Sequence, residues 1–219
     1  MNNATVLLGG SFNPVHYGHL AIIKALKKHQ FREIILVPTK SPPHKKKYEI
    51  SDKARLSLLK AALVSEPKIK ISRFELKQKR TSYSYYAINH FKKTRKNLFF
   101  ALGEDAFAYI PHWFKFPEVF LSCHFIVFSR QKLSPASSKK TITLLVRKKL
   151  IKKTKPFGDF SKVFITQSGH LLCFSRFKVP NPSSSGIRSL CEQGKFRKLS
   201  AMTPIWRELK TLKLYGKNK

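Results

Sequence analysis

Two histidines near the N-terminus, His16 and His19, lie three residues apart in the stretch GGSFNPVHYGHL. The apolar residues that follow recur at helical spacing, and residues three apart share a helix face, so both imidazoles can point at one ligand. Gly9 and Gly10 let backbone N–H groups approach an anion, and a helix N-terminus adds the positive end of its dipole. Gly18, without a side chain, lets a base or a phosphate lie against the backbone. These features predict phosphate binding.

A second polar group lies near the C-terminus in the stretch PNPSSSGIRSL. Ser183, Ser184 and Ser185 precede a predicted helix that contains Arg188. Hydroxyl and N–H groups at a helix start, with a guanidinium one turn later, form a second phosphate-binding corner. An ordinary helix cap followed by a surface arginine explains the same pattern, and this motif alone does not decide between the two.

Gly103, Glu104 and Asp105 follow the predicted strand NLFFAL. An acid at the carboxyl end of a parallel strand can accept hydrogen bonds from ribose hydroxyls, or it can cap the next helix. Both interpretations stay open at this point.

Strands and helices alternate along the chain and must position these residues. Apolar runs predict strands at residues 5–8, 33–37, 68–74, 97–103, 124–128, 163–166 and 171–174. Helical spacing and caps predict helices at residues 17–28, 82–93, 185–193 and 204–212, and a helix capped by Ser51 whose inward stripe is Ala54, Leu58, Ala61 and Ala62. The alternation predicts βαβ crossovers and one α/β domain, residues 1–219, whose mainly parallel sheet binds ligands at the carboxyl ends of its strands.

The segment KKTITLLVRKKLIKKTK, residues 139–155, carries eight basic and no acidic residues. Ile142, Leu145, Val146 and Leu150 fall on one face of a helix, which predicts a surface helix with a solvated basic face. A membrane-surface or nucleic-acid patch is the alternative.

The composition limits the class of protein. Of the 219 residues, 44 are Lys or Arg and 11 are Asp or Glu, which gives a formal net charge of +33. With 42% hydrophobic residues the chain can build a core, so a disordered basic tail is excluded. The charge predicts either a phosphate-rich partner or lysines spread over solvated faces. Three cysteines at unrelated spacings and no long apolar run predict a soluble, cytoplasmic protein with no membrane partner.

These motifs together resemble the bacterial nicotinate-nucleotide adenylyltransferases, members of the nucleotidyltransferase superfamily with the (H/T)-x-G-H signature. GGSFNPVHYGHL is similar to that family's opening motif almost throughout. Further stretches agree in the expected order: VPTKSPPHKK, FELKQKRTSYSYYAI, LFFALGEDAF with PHWFKF, HFIVFSR and SSSGIR. The opening motif indicates only the superfamily, whereas the S-Y-(T/S) and G-x-D…W stretches indicate its pyridine-nucleotide branch.

The resemblance implies a Rossmann-like, doubly wound domain with helices on both faces of the sheet and a C-terminal helical part at roughly 183–215. It implies transfer of the adenylyl group of ATP to nicotinate mononucleotide, which gives deamido-NAD and pyrophosphate in NAD biosynthesis. His16 and His19 would be catalytic, with Mg²⁺ bound mainly through the ATP phosphates and no protein metal site. The implied ATP-binding residues are Gly9, Gly10, Ser11, Phe12, Gly18, His19, Gly103, Asp105, Ser184, Ser185, Ile187 and Arg188.

The resemblance also implies a pocket for the mononucleotide. Its phosphate would meet His44 and Lys45, with Arg130 as a further contact. The segment of Tyr83 and Ser84 would receive the nicotinate carboxylate on its backbone N–H groups. The remaining implied contacts are Trp113, stacked on the pyridine ring, and Asp105, near the ribose.

Two other functions compete with this one. The first is a transferase of the same superfamily with another acceptor, such as phosphopantetheine or nicotinamide mononucleotide. The second is a basic nucleic-acid-binding module, for which the charge and aromatic residues such as Phe91 and Phe99 could serve. Those aromatic residues lie in predicted core elements, so we expect no specific nucleic-acid partner. The sequence gives no prediction of oligomeric state.

Overall fold

The computed structural model describes residues 1–41, 50–66, 68–129 and 136–215, where eight strands and eight α-helices alternate. In chain order they are β1 (Thr5–Gly10), α1 (Tyr17–Lys28), β2 (Glu33–Pro38), α2 (Asp52–Ala62), β3 (Ile69–Ile71), α3 (Ser84–Lys92), β4 (Leu98–Gly103), α4 (Glu104–Ala108), α5 (Glu118–Leu121), β5 (His124–Phe128), α6 (Ala136–Arg147), β6 (Ile151–Thr154), β7 (Phe160–Thr166), β8 (Leu171–Ser175), α7 (Ser184–Glu192) and α8 (Trp206–Thr211). Short 3₁₀ helices lie at Glu75–Lys77, Ile110–His112 and Phe196–Ala201.

All eight strands belong to one sheet, in the order β3-β2-β1-β4-β5-β8-β7-β6. Neighbours from β3 to β8 pair in parallel, whereas β7 pairs antiparallel with both β8 and β6. The chain builds outward from β1 toward β3 and then returns to place β4 on the other side of β1. The strand order therefore reverses between β1 and β4, where open parallel sheets bind ligands.

Successive residues of β1 point to opposite faces of the sheet, and each face has its own hydrophobic core. Val6 and Leu8 pack in the cluster that also contains the buried residues of α1, α2, α7 and α8. Leu7 packs in the other cluster, with the buried residues of α3, α4, α5 and α6. The structure thus confirms the predicted α/β fold, a doubly wound and mainly parallel sheet with helices on both faces.

Most predicted elements agree with the structure to within two residues. The strand β1, for example, continues through Gly9 and Gly10, which are extended. β3 has only three residues, whereas a strand was predicted over 68–74. In α2 the predicted inward stripe is partly wrong, because Ala61 is exposed while Arg55 and Leu59 are buried.

The prediction of one helix over residues 139–155 is wrong in its second half. The helix α6 ends at Arg147, and Lys149 adopts a left-handed φ of 55°. The chain then enters β6, which pairs with β7 through four residues. Ladder hydrogen bonds to a neighbouring strand outweigh the helical spacing, because tertiary pairing overrides local propensity. Val146, predicted to face inward, is 49% exposed.

Glu33 joins three strands and the turn before a fourth at the amino ends of the sheet. Its carboxylate accepts hydrogen bonds from Arg95 Nε at 2.8 Å, Lys70 Nζ at 2.8 Å and Thr5 Oγ1 at 3.2 Å. The hydrogen bond from Arg95, opposed by burial and reinforced by Lys70, lowers the pKa of Glu33 to about 2. The ionised carboxylate therefore stabilises the sheet at neutral pH.

We expect Glu33→Gln to lower the free energy of unfolding at pH 7 by about 1 kcal/mol, because solvent screens these partly exposed partners. The folded pKa lies below the unfolded one, so the contribution is present above pH 5 and is lost as the pH falls toward 2. Urea denaturation at pH 7 and pH 3 measures it. Equal destabilisation by the substitution at both pH values would show that the ionised carboxylate of Glu33 is not the source of this stability.

Candidate active site

A cavity of about 750 Å³ opens at the carboxyl ends of β1 and β4, where the strand order reverses. Thirteen residues predicted from the sequence line it: Gly9, Gly10, Ser11, Phe12, His16, His19, Tyr83, Ser84, Gly103, Asp105, Trp113, Ser184 and Ser185. Three others, Gly18, Ile187 and Arg188, lie behind its wall. His44, Lys45 and Arg130 fall outside the described residues. The two predicted phosphate-binding corners therefore open into the same cavity.

The two histidines cap the first turn of α1 and stack on each other. His16 is the N-cap residue, and its Nδ1 accepts the N–H of His19 at 3.4 Å. His19 Nδ1 accepts the N–H of His16 at 3.3 Å, and the ring centroids are 3.7 Å apart. An imidazole that accepts at Nδ1 carries its proton on Nε2. The reciprocal cap thus makes Nε2 of each ring a hydrogen-bond donor.

Gly18 makes room for this histidine pair. A Cβ at this position would lie 3.0 Å from the His16 ring and 3.2 Å from the carbonyl oxygen of Pro180. The glycine is buried between them, so its missing side chain admits protein atoms from both sides. The absence of a side chain at Gly18 thus lets the His16 ring and the Pro180 carbonyl approach, and the contact of a ligand with Gly18 stays a prediction.

The loop between β1 and α1 is held by the C-terminal part of the chain. The Asn13 side chain accepts a hydrogen bond from the Tyr215 hydroxyl at 2.5 Å, and the Pro14 carbonyl accepts one from Ser184 Oγ at 2.9 Å. The Val15 carbonyl accepts a hydrogen bond from Thr203 Oγ1 at 2.8 Å. Residues 170 to 202 positions away therefore fix the backbone that carries His16.

Arg188 supports the same loop from α7. Its guanidinium donates to the Asn13 carbonyl at 2.8 Å and to Ser185 Oγ at 3.3 Å. Ser183 caps α7 by accepting the N–H of Gly186, which confirms the helix cap, while phosphate binding by this motif stays a prediction. Ile187 is fully buried in the core below. In this geometry Arg188 and Ile187 position the cavity wall.

The opposite end of the cavity is formed by the start of α3 and the loop after α4. The N-cap residue of α3, Tyr83, makes no side-chain cap, and Ser84 and Tyr85 in the first turn line the cavity. A helix start of this kind binds carboxylates and phosphates through its N–H groups and dipole. Trp113 lines the same end and packs edge-on against Phe100, with centroids 5.9 Å apart.

Gly103 and Asp105 close the cavity at the end of β4. Gly103 is the N-cap residue of α4, and the Asp105 carboxylate folds back so closely that a Cβ on Gly103 would collide with it. Asp105 is exposed and lines the cavity, while its neighbour Glu104 is buried and accepts a hydrogen bond from Ser138. The carboxylate at the cavity wall at this strand end is thus that of Asp105, and its contact with a ligand stays a prediction.

Comparison with known proteins adds independent evidence. The family model described as Cytidylyltransferase-like matches residues 7–189. A Clostridium botulinum protein named "Probable nicotinate-nucleotide adenylyltransferase" is 31% identical over 86% of this chain and 87% of its own. A Clostridium tetani protein of the same name is 39% identical over 74% of this chain and 84% of its own.

The chain belongs to the nicotinate-nucleotide adenylyltransferase family.

A solved structure, that of the Plasmodium falciparum nicotinic acid mononucleotide adenylyltransferase complexed with NaAD, shares the fold of this family member. The TM-score is 0.69 at 19% identity, and the match covers 97% of both chains. Within the described residues of this adenylyltransferase family member, no helix is long and apolar enough to cross a membrane.

Two residues important to the site of this family member were missed by the sequence analysis. Arg55 in α2 is 2% exposed and donates to the Ser11 carbonyl at 2.5 Å, the Thr39 carbonyl at 2.7 Å and the Asp52 carboxylate at 2.6 Å. It thereby ties the loop after β1 to the segment after β2. The sequence did not indicate that Arg55 is buried, because it stands among surface lysines and its partners include backbone carbonyls distant in sequence.

The second missed residue is Glu75, in the 3₁₀ helix before α3. It is 5% exposed and lines the cavity beside Ser82 and Tyr83. Burial raises its pKa to about 7, although a hydrogen bond from Ser82 partly offsets the effect. In the sequence Glu75 stands in the charged stretch FELKQKR, which is typical of a solvated turn.

Proposed function

We propose that this protein transfers the adenylyl group of ATP to nicotinate mononucleotide, which gives deamido-NAD and pyrophosphate. One observation carries the proposal: a single cavity joins the histidine pair at the start of α1 to the uncapped start of α3 beside Trp113. The first part suits the phosphates of ATP and the second suits a pyridine ring with a carboxylate. The family relationship supports the same reaction.

In this mechanism the 5′-phosphate oxygen of the mononucleotide attacks the α-phosphorus of ATP in line. The new P–O bond forms as the bond between the α-phosphorus and the bridging oxygen breaks, and pyrophosphate leaves. Negative charge develops on the α-phosphate oxygens, so catalysis requires positioned donors and no covalent intermediate. We assign His19 Nε2 as the main donor to the α-phosphate, with His16 beside it.

The remaining groups bind and orient the substrates. The backbone of residues 9–12 and the start of α7 at Ser184 and Ser185 would hold ATP, and Gly103 and Asp105 would meet a ribose. Ile187, Arg188 and Gly18 would act by holding this backbone in place. We keep His44, Lys45 and Arg130 as predicted contacts of the mononucleotide phosphate.

Magnesium would act through the nucleotide. No group of three His, Cys, Asp or Glu side chains that could hold a metal is found among the described residues. Mg²⁺ commonly takes its ligands from substrate phosphates and water with one or two carboxylates, and Asp105 offers a carboxylate oxygen at the cavity wall. When bound, the ion would neutralise phosphate charge. The three cysteines are free and buried, and we propose a reducing, cytoplasmic location.

The test is a pyrophosphate-release assay with ATP and either nicotinate or nicotinamide mononucleotide. We expect release with the acid at a kcat/KM well above that with the amide. Equal turnover of the two would overturn the choice of acceptor. No release with either, together with salt-dependent binding of oligonucleotides, would favour the nucleic-acid-binding alternative.

We expect Trp113→Ala to raise the KM for nicotinate mononucleotide about tenfold, because stacking on a base is worth about 1–3 kcal/mol. Steady-state kinetics with ATP saturating measures the change. Trp113→Phe keeps an aromatic face and should stay within a few-fold of the wild type. Trp206→Ala in α8 is the control, because it removes the other tryptophan, which is not among the residues that line the cavity. An unchanged KM in Trp113→Ala would dismiss the stacking role.

A further inference from the structure

Glu75 is held at the acceptor end of the cavity by a network of short contacts. Its carboxyl group accepts a hydrogen bond from the Ser82 hydroxyl. Ser82 Oγ in turn accepts the N–H groups of Lys40 at 3.1 Å and Ser41 at 3.2 Å, and its own N–H donates to the Ser41 carbonyl at 2.9 Å. The network fixes the Glu75 carboxyl group directly before the first turn of α3.

The second carboxyl oxygen of Glu75 has no hydrogen-bond partner among the residues that the structure describes. Oε2 is buried and makes no hydrogen bond to any described residue, although the side chain lines the cavity. Buried polar atoms are nearly always satisfied, and this exception belongs to a residue that lines the cavity, so a small rotation of the side chain would bring Oε2 to a ligand atom. Because the Ser82 hydroxyl donates to Oε1, a proton on the neutral acid lies on Oε2.

The charge of this group decides which ligand it can meet. Burial raises the pKa of Glu75 to about 7, so both protonation states are populated near neutral pH. A neutral carboxylic acid can donate to a carboxylate, whereas an ionised one repels it across a cavity of low dielectric constant. An ionised carboxylate could instead accept the N–H of an amide.

We propose that Glu75 contacts the pyridine substituent and selects the acid, by donating a hydrogen bond from Oε2 to the nicotinate carboxylate at the start of α3. The inference rests on the proposed acceptor. It adds a side-chain determinant to the backbone N–H groups of Ser84 and Tyr85, which alone would donate equally well to the carbonyl oxygen of an amide. Binding of the acid then requires the protonated form of Glu75.

Other titratable and charged groups surround Glu75, and their contributions to the pH dependence must be distinguished from that of Glu75. Those on the cavity wall or on the segments packed around it are His16, His19, Lys40, Lys77, Tyr83, Tyr85, Asp105 and His112. All of them remain in a Glu75→Gln variant. Nicotinamide mononucleotide shares the phosphate of the acid and differs in the ring substituent. The ratio of kcat/KM for the acid to that for the amide therefore isolates the pair formed by Glu75 and this substituent.

The test measures this ratio at pH 6 and pH 8 for the wild type, Glu75→Gln and Glu75→Ala. With a pKa of about 7, the neutral fraction of Glu75 falls about tenfold over this range, and we expect the wild-type ratio to fall at least about tenfold, since the ionised form also favours the amide. In Glu75→Gln the ratio should be the same at both pH values, because the amide keeps the contact to Ser82 and does not titrate. Glu75→Ala should lower the ratio at pH 6 about tenfold.

Glu104→Gln is the matched control. Glu104 is also 5% exposed and bonded to a serine, but it is not among the residues that line the cavity. In this variant the ratio of kcat/KM for the acid to that for the amide should fall as the pH rises, as in the wild type. A pH-independent ratio in the wild type, or the same fall in Glu75→Gln, would overturn the role of Glu75 while the acid remains the preferred substrate. No turnover of the acid by the wild type would overturn the proposed function and this role together.

Discussion

Replacing His19 with alanine is expected to lower kcat about 10²–10³-fold, the effect of removing one donor to developing charge in a preorganised site. His19 lines the cavity, and its proton lies on Nε2 because Nδ1 accepts the N–H of His16. KM for ATP should change far less, since the donor acts mainly on charge that builds in the transition state. Pyrophosphate release at saturating substrates measures the effect.

His19→Gln separates catalysis from folding. Glutamine is a preferred third residue of a helix capping box, so this variant keeps an acceptor for the His16 N–H. It should restore the thermal stability that the alanine variant loses, while its kcat stays about 10²-fold low. His112→Ala removes another histidine of the cavity wall and should leave kcat within a few-fold. Turnover near the wild-type value in both His19 variants would refute the catalytic role.

Arg55→Met should cause the largest loss of stability among these changes, about 3 kcal/mol in the free energy of unfolding. The substitution leaves the Ser11 and Thr39 carbonyls and the Asp52 carboxylate without their donor, and each unsatisfied group costs about 1–3 kcal/mol. For a chain of this length, the melting temperature should fall by about 6–12 °C. Urea denaturation and thermal melting measure the loss.

Arg73→Met provides the comparison, because Arg73 is exposed. A surface change of this kind is usually within about 0.5 kcal/mol of the wild type. Because Ser11 lines the cavity, Arg55→Met should also raise the KM for ATP at temperatures where the variant is folded. A loss of stability no greater than that of Arg73→Met would show that Arg55 is not needed to join the two loops.

Glu75 at the acceptor end of the cavity and Arg55 behind the loop after β1 show why some residues of the site stayed hidden in the sequence. Trp113 and Tyr83 were found through motif resemblance, since both stand in short stretches with a familiar order of residues. Glu75 and Arg55 stand among lysines and arginines, and charged residues in such surroundings are usually solvated. Their burial depends on backbone groups supplied from other segments, and no local pattern records these partners.

The sequence by itself determined the parallel α/β fold, because apolar strands and helical spacing alternate in order, and it located His16 and His19 at the start of α1. It could not decide where the segment 139–155 changes from helix to strand, since the pairing with β7 depends on residues nine to fifteen positions away. Only the folded structure shows that Gly18 lies between the His16 ring and the Pro180 carbonyl, and that Arg188 donates to the Asn13 carbonyl. It also placed a buried Glu75 carboxyl group at the cavity wall. The physical reason is that burial and hydrogen bonds across the fold, which set the charge and position of such groups, arise only when distant segments meet.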